Sequence, residues 1–198
     1  KLLRRLGGDE GQKVLLDRYA QVVAGAVRDE LAPVDPTSGV PLFVFANEPL
    51  SSMVVAHGLP GEVVVVRGAA DELRPDQIDE AVRARIGEIT ARRLSAAADR
   101  IGDGFAAGLA GTDVAQVARA AAMGAVGSLY YDMTADVRGT LDADTGAIAF
   151  DEDGEDLLAA IALLVLANGG EVHAVRPGEI DAEIWNGRLL AGLRRALA

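Results

Sequence analysis

The chain has 198 residues, half of them apolar, and a formal net charge of -11. It holds no Cys and only His57 and His173, which excludes disulfide scaffolds, cysteine-ligated zinc, thiol nucleophiles and multi-histidine centres. The acidic balance argues against general affinity for phosphate backbones, and 4% aromatic residues argue against base-stacking platforms.

Residues 1–6, KLLRRL, read as the tail of a helix, so the chain is expected to be a segment of something longer. No apolar h-region follows these charges, so no signal peptide is expected. The longest mainly apolar run, residues 157–167, falls short of the roughly 20 residues a membrane span needs. The expectation is a cytoplasmic chain with no membrane partner. Lys is confined to Lys1 and Lys13 while Arg, Ala and Gly abound, a usage that fits a GC-rich bacterial genome.

From residue 9 to 31, Val14, Leu15, Tyr19, Val22, Val23 and Val27 follow helical spacing and predict an amphipathic helix. Residues 32–40 hold two prolines and a Gly and read as a loop. The apolar runs at 41–46 and 62–66 suit buried strands, with a short helix over 48–57 between them. Pro75 opens a long helix, since Pro is favoured in the first turn, and Asp76, Asp79 and Glu80 suit its positive end. Its apolar period runs Ile78, Val82, Ile86, Ile89, Ala97, Ile101, Phe105, Leu109, with Gly102 and Gly104 positioned to end or bend it. Arg92, Arg93 and Arg100 lie among acids on this helix and read first as a mixed solvated face.

Asp113 and Gln116 have capping-box spacing for a helix ending at Gly124. A strand is expected at 127–132 and a hairpin over 137–150. Leu157, Leu158, Ile161, Leu164 and Val165 predict a helix closed by Asn168-Gly169-Gly170, followed by a strand at 171–175. Residues 189–197 are expected to form a terminal helix or a helix-strand element. Alternating helices and strands favour an α/β sandwich. The boundary is expected inside or at the end of the long helix, around 105–112, giving units 1–108 and 109–198. Only two strands precede it, which is too few for an independent sheet, so further strands upstream or a covering partner are expected.

Several short motifs suggest chemistry that their context does not support. GGDEG at 7–11 lacks the Phe of a cyclase signature and reads as a polar turn. Asp144-Thr145-Gly146 spells an aspartic-protease triplet, but that chemistry needs a second carboxylate sharing one proton, so a hairpin turn is expected. The glycines of 102–108 follow a helix instead of opening one, unlike a dinucleotide fingerprint. The acids from Asp142 to Asp156 break the order of a calcium loop, because the sixth position from Asp142 is Ala147. His173 reads as a packed or edge residue, and His57 as a cation at a helix end.

Residues 118–132, ARAAAMGAVGSLYYD, resemble the core signature of the third domain of archaeo-eukaryotic peptide-chain release factors and Pelota. Residues 156–175 resemble that domain's helix, Gly turn and strand, and 187–197 its closing segment. Residues 40–110 are similar to the end of the family's middle domain, and the bacterial branch is the nearest fit. The resemblance implies a partial ribonuclease-H-like middle domain followed by an α/β/α sandwich like that of kink-turn-binding ribosomal proteins. It implies action at the ribosome in termination, rescue or hibernation, with the ribosome or a translational GTPase as partner. The family's hydrolytic members use a Gly-Gly-Gln loop, and this sequence contains none. Aligned from Gly124, Arg119 stands at the kink-turn Lys and Ala115-Gln116 at the Asn-Glu pair. The pair is lost, which with the acidic charge argues against kink-turn RNA.

No catalytic, metal or cofactor residue is therefore expected, and Arg92, Arg93 and Arg119 are the candidate partner-binding residues. Two other readings stay open. One is a metal-dependent hydrolase or nuclease using Asn47, Glu48 and Arg67 at the strand ends; the other is a structural module that forms homo-oligomers.

Overall fold

A computed structural model of the chain describes residues 9–34, 39–68 and 71–196. KLLRRL and Gly7-Gly8 lie outside the described residues; the rest of GGDEG, Asp9 to Gly11, opens the first helix instead of forming the expected polar turn. Packing divides the chain between Gly87 and Glu88 into two units.

The first unit contains α1 (Asp9–Leu31), β1 (Leu42–Phe45), α2 (Leu50–Ala56) and β2 (Val63–Val66). The β-branched run Val63–Val66 pairs in parallel with β1, in register from Leu42↔Val63 to Phe45↔Val66. Helices α1 and α2 meet through Ala20, Ala24 and Val54, with Val23, Leu50, Met53 and Leu59 packed around them. This corrects the inward face expected of α1. The small alanines let the helices approach closely, and Val14, Leu15, Tyr19 and Val22 turn to solvent. His57 stands at the end of α2 as expected, and Arg28 of α1 joins it there. Arg28 Nη1 donates to the carbonyls of His57 (2.6 Å) and Gly58 (2.7 Å), while His57 Nε2 meets Asp17 Oδ1 at 2.9 Å.

Helix α3 (Pro75–Gly102) begins at the predicted Pro and ends at the first predicted glycine. The division between units falls inside it, because its C-terminal half forms one layer of the second unit. The division lies inside the helix, some 20 residues before the stretch 105–112. The second unit then runs through a 3-10 turn (Phe105–Ala107), β3 (Ala110–Gly111), α4 (Val114–Ala122), β4 (Val126–Asp132), β5 (Arg138–Leu141), β6 (Ile148–Phe150), β7 (Glu155–Asp156), α5 (Leu157–Ala167), β8 (Glu171–Val175) and β9 (Leu189–Leu193).

Four strands form the central sheet in the order β3-β9-β4-β8. β4 runs parallel to β8 and antiparallel to β9. Alternation sends Leu129, Leu189 and Ala191 to one face, where Val117, Leu157, Leu158, Ile161 and Val165 of α4 and α5 cover them. Tyr130, Leu190 and Val175 point the other way, into a second core with Ala98, Leu94 and Ile101 of α3 and with Ile180, Ile184 and Trp185. The result is an α/β/α sandwich. The hairpin and β7 form a separate small sheet, ordered β6-β5-β7.

Both predicted helix starts in this unit are capped. The Asp113 carboxylate accepts the Gln116 N–H at 2.9 Å, and Asp156 accepts from Leu158 and Ala159. A correction concerns residues 189–197. They supply no helix up to Ala196; Leu189–Leu193 is a strand in the interior of the sheet, and Leu197 lies outside the described residues. Leu129, at 1% exposure, lies between the two strand neighbours of β4. Leu129→Ala is expected to cost about 3 kcal/mol, read as a lower urea midpoint at unchanged slope.

Candidate functional site

Where α3 ends, the chain GDGFAAG turns sharply. The Gly104 N–H donates to Ile101 O at 3.0 Å, and the Leu109 N–H returns to Gly104 O at 2.9 Å. These bonds leave Phe105 on the outside of the turn, 57% exposed. The sequence reading carried the apolar period of α3 through Phe105 and Leu109. The helix stops at Gly102, so both leave the buried face and stand exposed.

The segment 180–188 is tied across this end of the sandwich. The Asp181 N–H donates to Ser95 Oγ at 2.8 Å, and Asn186 Nδ2 donates to Thr112 O at 2.8 Å. Asn186 Oδ1 accepts from the N–H groups of Arg188 and Leu189. Ile184 packs against Gly102, where an added Cβ would lie 3.4 Å from its Cγ2. Between these pieces lies a groove of about 640 Å³, lined by Asp99, Gly102, Asp103, Phe105, Thr112, Glu183 and Ile184. Its three carboxylates make no side-chain hydrogen bond or ion pair among the described residues. Sequence reasoning missed this groove. Asp99 and Asp103 are four apart and legible as a pair, but Glu183 and Ile184 come from a loop some 80 residues away.

The other sequence-predicted positions are spread over the molecule. Arg92 and Arg93 are exposed on α3, and Arg119 is exposed on α4. Those helices cover opposite faces of the sheet, so the three arginines do not form one patch. His173 stacks on Tyr130, with ring centroids 4.5 Å apart, on the edge strand β8. Glu48 and Arg67 both line a depression of about 470 Å³ at the C-terminal end of β1 and β2, where Glu48 Oε2 accepts from Ser52 Oγ at 2.6 Å. The hydrogen bond from Ser52, with a smaller contribution from the Arg67 charge, holds the Glu48 carboxyl below the usual carboxylate range. Among the described residues no three acids or histidines are grouped to hold a metal ion.

Asp144-Thr145-Gly146 forms the tip of the hairpin. Asp142 Oδ1 accepts from the N–H groups of Asp144 and Thr145, both at 3.0 Å, and Thr145 Oγ1 accepts from the Ala147 N–H. Gly146 has φ +70° and lies against α4, where an added Cβ would come within 2.5 Å of the Ala118 oxygen and of Arg119 Cα.

Two solved structures share this fold. Ribosome-bound archaeal Pelota, determined with ABCE1, matches with a TM-score of 0.55 and 16% identity over 97% of this chain and 51% of its own. Dom34 of S. cerevisiae, a translation termination-like factor involved in RNA quality control and interacting with Hbs1, matches with a TM-score of 0.50 and 10% identity over 97% and 55%. The fold is Pelota-like. The chain spans about half the length of these two proteins. No protein-family model and no curated protein matches it. Among the described residues no helix of this Pelota-like chain is long and apolar enough to cross a membrane.

Two predictions concern the hairpin. Gly146→Ala combines a strained backbone with a clash against α4 and is expected to lower the melting temperature by several degrees, whereas Asp144→Asn leaves it unchanged. The second is a pH effect. Bonds from Thr145 and Asp144 hold the Asp142 carboxyl below its ordinary value. A depressed folded-state pKa adds stability above the unfolded value and loses it as pH falls through the folded one. Amide exchange at Asp144 and Thr145 is therefore expected to show protection lost only below the ordinary carboxylate range; Asp142→Asn abolishes that pH dependence.

Proposed function

We propose that this chain is part of a ribosome-associated, release-factor-like protein that acts by docking. Residues 1–108 correspond in this reading to the end of a middle domain, and 109–198 to a third domain. The observation that carries it is the match of 97% of the chain, in one continuous order of elements, to Pelota captured on the ribosome. The sequence adds two supports. It has no Gly-Gly-Gln, so it offers no water-positioning loop for peptidyl-ester hydrolysis, and Ala115-Gln116 replaces the Asn-Glu pair of kink-turn RNA readers. A protein acidic by 11 charges is better matched to protein surfaces than to bare phosphate backbone. The partner in this reading is the ribosome or a translational GTPase, as Dom34 interacts with Hbs1. The setting is cytoplasmic, and the bacterial branch of the release-factor family is the proposed source.

Co-sedimentation with ribosomes tests this. The chain is expected in the ribosomal pellet at low salt and increasingly in the supernatant as salt rises. Recovery only in the supernatant at every salt concentration, with ribosomes from growing and starved cells alike, overturns the reading. The arginines report on orientation. Because α3 and α4 cover opposite faces, either the pair Arg92→Ala/Arg93→Ala or the single Arg119→Ala is expected to reduce pelleting several-fold, and the other to leave it unchanged.

A further inference from the structure

The groove at the end of α3 has three acids on its walls and no base. Two of those acids oppose local stability. Asp99 sits in the last turn of α3 and Asp103 just beyond it, where the helix presents its own partial negative charge. A sequence selected for helix stability alone would place cations there, as it does with Arg100 in the same turn, and not Asp99 and Asp103 beside it. Phe105 adds a large apolar ring, 57% exposed, on a turn whose backbone is pinned on both sides. Ile184, seated on Gly102, supplies a second apolar wall.

An anion is repelled by this lining, and a metal ion finds no set of grouped donors among the described residues. A neutral apolar ligand would leave three carboxylates facing it. A guanidinium group satisfies all the walls together, since its flat face stacks on an aromatic ring while its edge donates paired hydrogen bonds to carboxylates. An ammonium group answers the charge but is more strongly hydrated and gains less from the ring. At about 640 Å³ the groove is large enough for a long side chain with some of its flanking backbone.

We propose that this groove docks an arginine-bearing peptide segment of a partner protein, with a guanidinium over Phe105 and its donors on Asp99, Asp103 and Glu183. The proposal goes beyond the ribosomal reading and stands without it, so its test contains no ribosomes. The probe is a fluorescein-labelled twelve-residue Ala/Gly peptide carrying three arginines, titrated with the full chain. Trp185, the sole Trp, adjoins Ile184 and gives a second, label-free signal.

Saturable binding is expected, with the lysine peptide at least about 3-fold weaker and the citrulline peptide showing none. Free arginine is expected to compete only at much higher concentration. Phe105→Ala should weaken binding about 3-fold, and Asp103→Asn/Glu183→Gln about 10-fold, with no fall in melting temperature because all three side chains are exposed. Asp151→Asn/Asp153→Asn removes the same charge elsewhere and should leave affinity unchanged. No binding at low salt, equal binding of the lysine peptide, or an equal loss in the Asp151/Asp153 pair, which would indicate attraction to overall charge, each overturns the proposal.

Discussion

Burial of the central sheet on both faces is the constraint from which the second unit follows. β4 and β9 lie inside the sheet, so each must alternate apolar residues toward two cores. Leu129, Leu189 and Ala191 require α4 and α5 on one side; Tyr130 and Leu190 require α3 on the other. Spacing is set by small residues. An added Cβ at Gly192 would lie 2.9 Å from Ser128 Oγ and 3.3 Å from Ile101 Cγ1, so its absence lets α3 settle on the sheet. With α3 fixed, the turn at Phe105 and the 180–188 segment must meet at its end, and the groove is where they meet.

Elements whose signals are local were legible in the sequence. The Asp113 cap, the Asn168-Gly169 stop and the period-2 run Glu171–Val175 each act over a few residues, and each lies where the sequence puts it. Residues 189–193 misled because Leu and Ala favour helices; their strand conformation comes from pairing with β3 on one side and β4 on the other. The face of α1 misled for a related reason. Size ranks Val14, Leu15 and Tyr19 as core, yet close helix packing selected Ala20 and Ala24. The groove was not legible, because Glu183 and Ile184 reach its wall from a distant loop held by Asn186 and Asp181. The one local sign of it was the placement of acids at the negative end of a helix, which propensity does not explain.

The hairpin connects the fold to the choice between RNA and protein as partner. In the kink-turn alignment, Arg119 stands at the basic position that follows the lost Asn-Glu pair. The backbone of that same turn of α4 is in contact with the hairpin tip, since Gly146 reaches Ala118 and Arg119. The tip carries Asp142 and Asp144, both exposed. Arg119 is itself exposed, but the hairpin touching this turn of the helix brings two exposed carboxylates to the same side of the sandwich. Loss of the Asn-Glu pair removes attraction there, and the acidic hairpin adds repulsion and bulk. Both changes act in the same direction. In the proposed reading, both features favour a protein over a nucleic acid as the partner met on the α4 side.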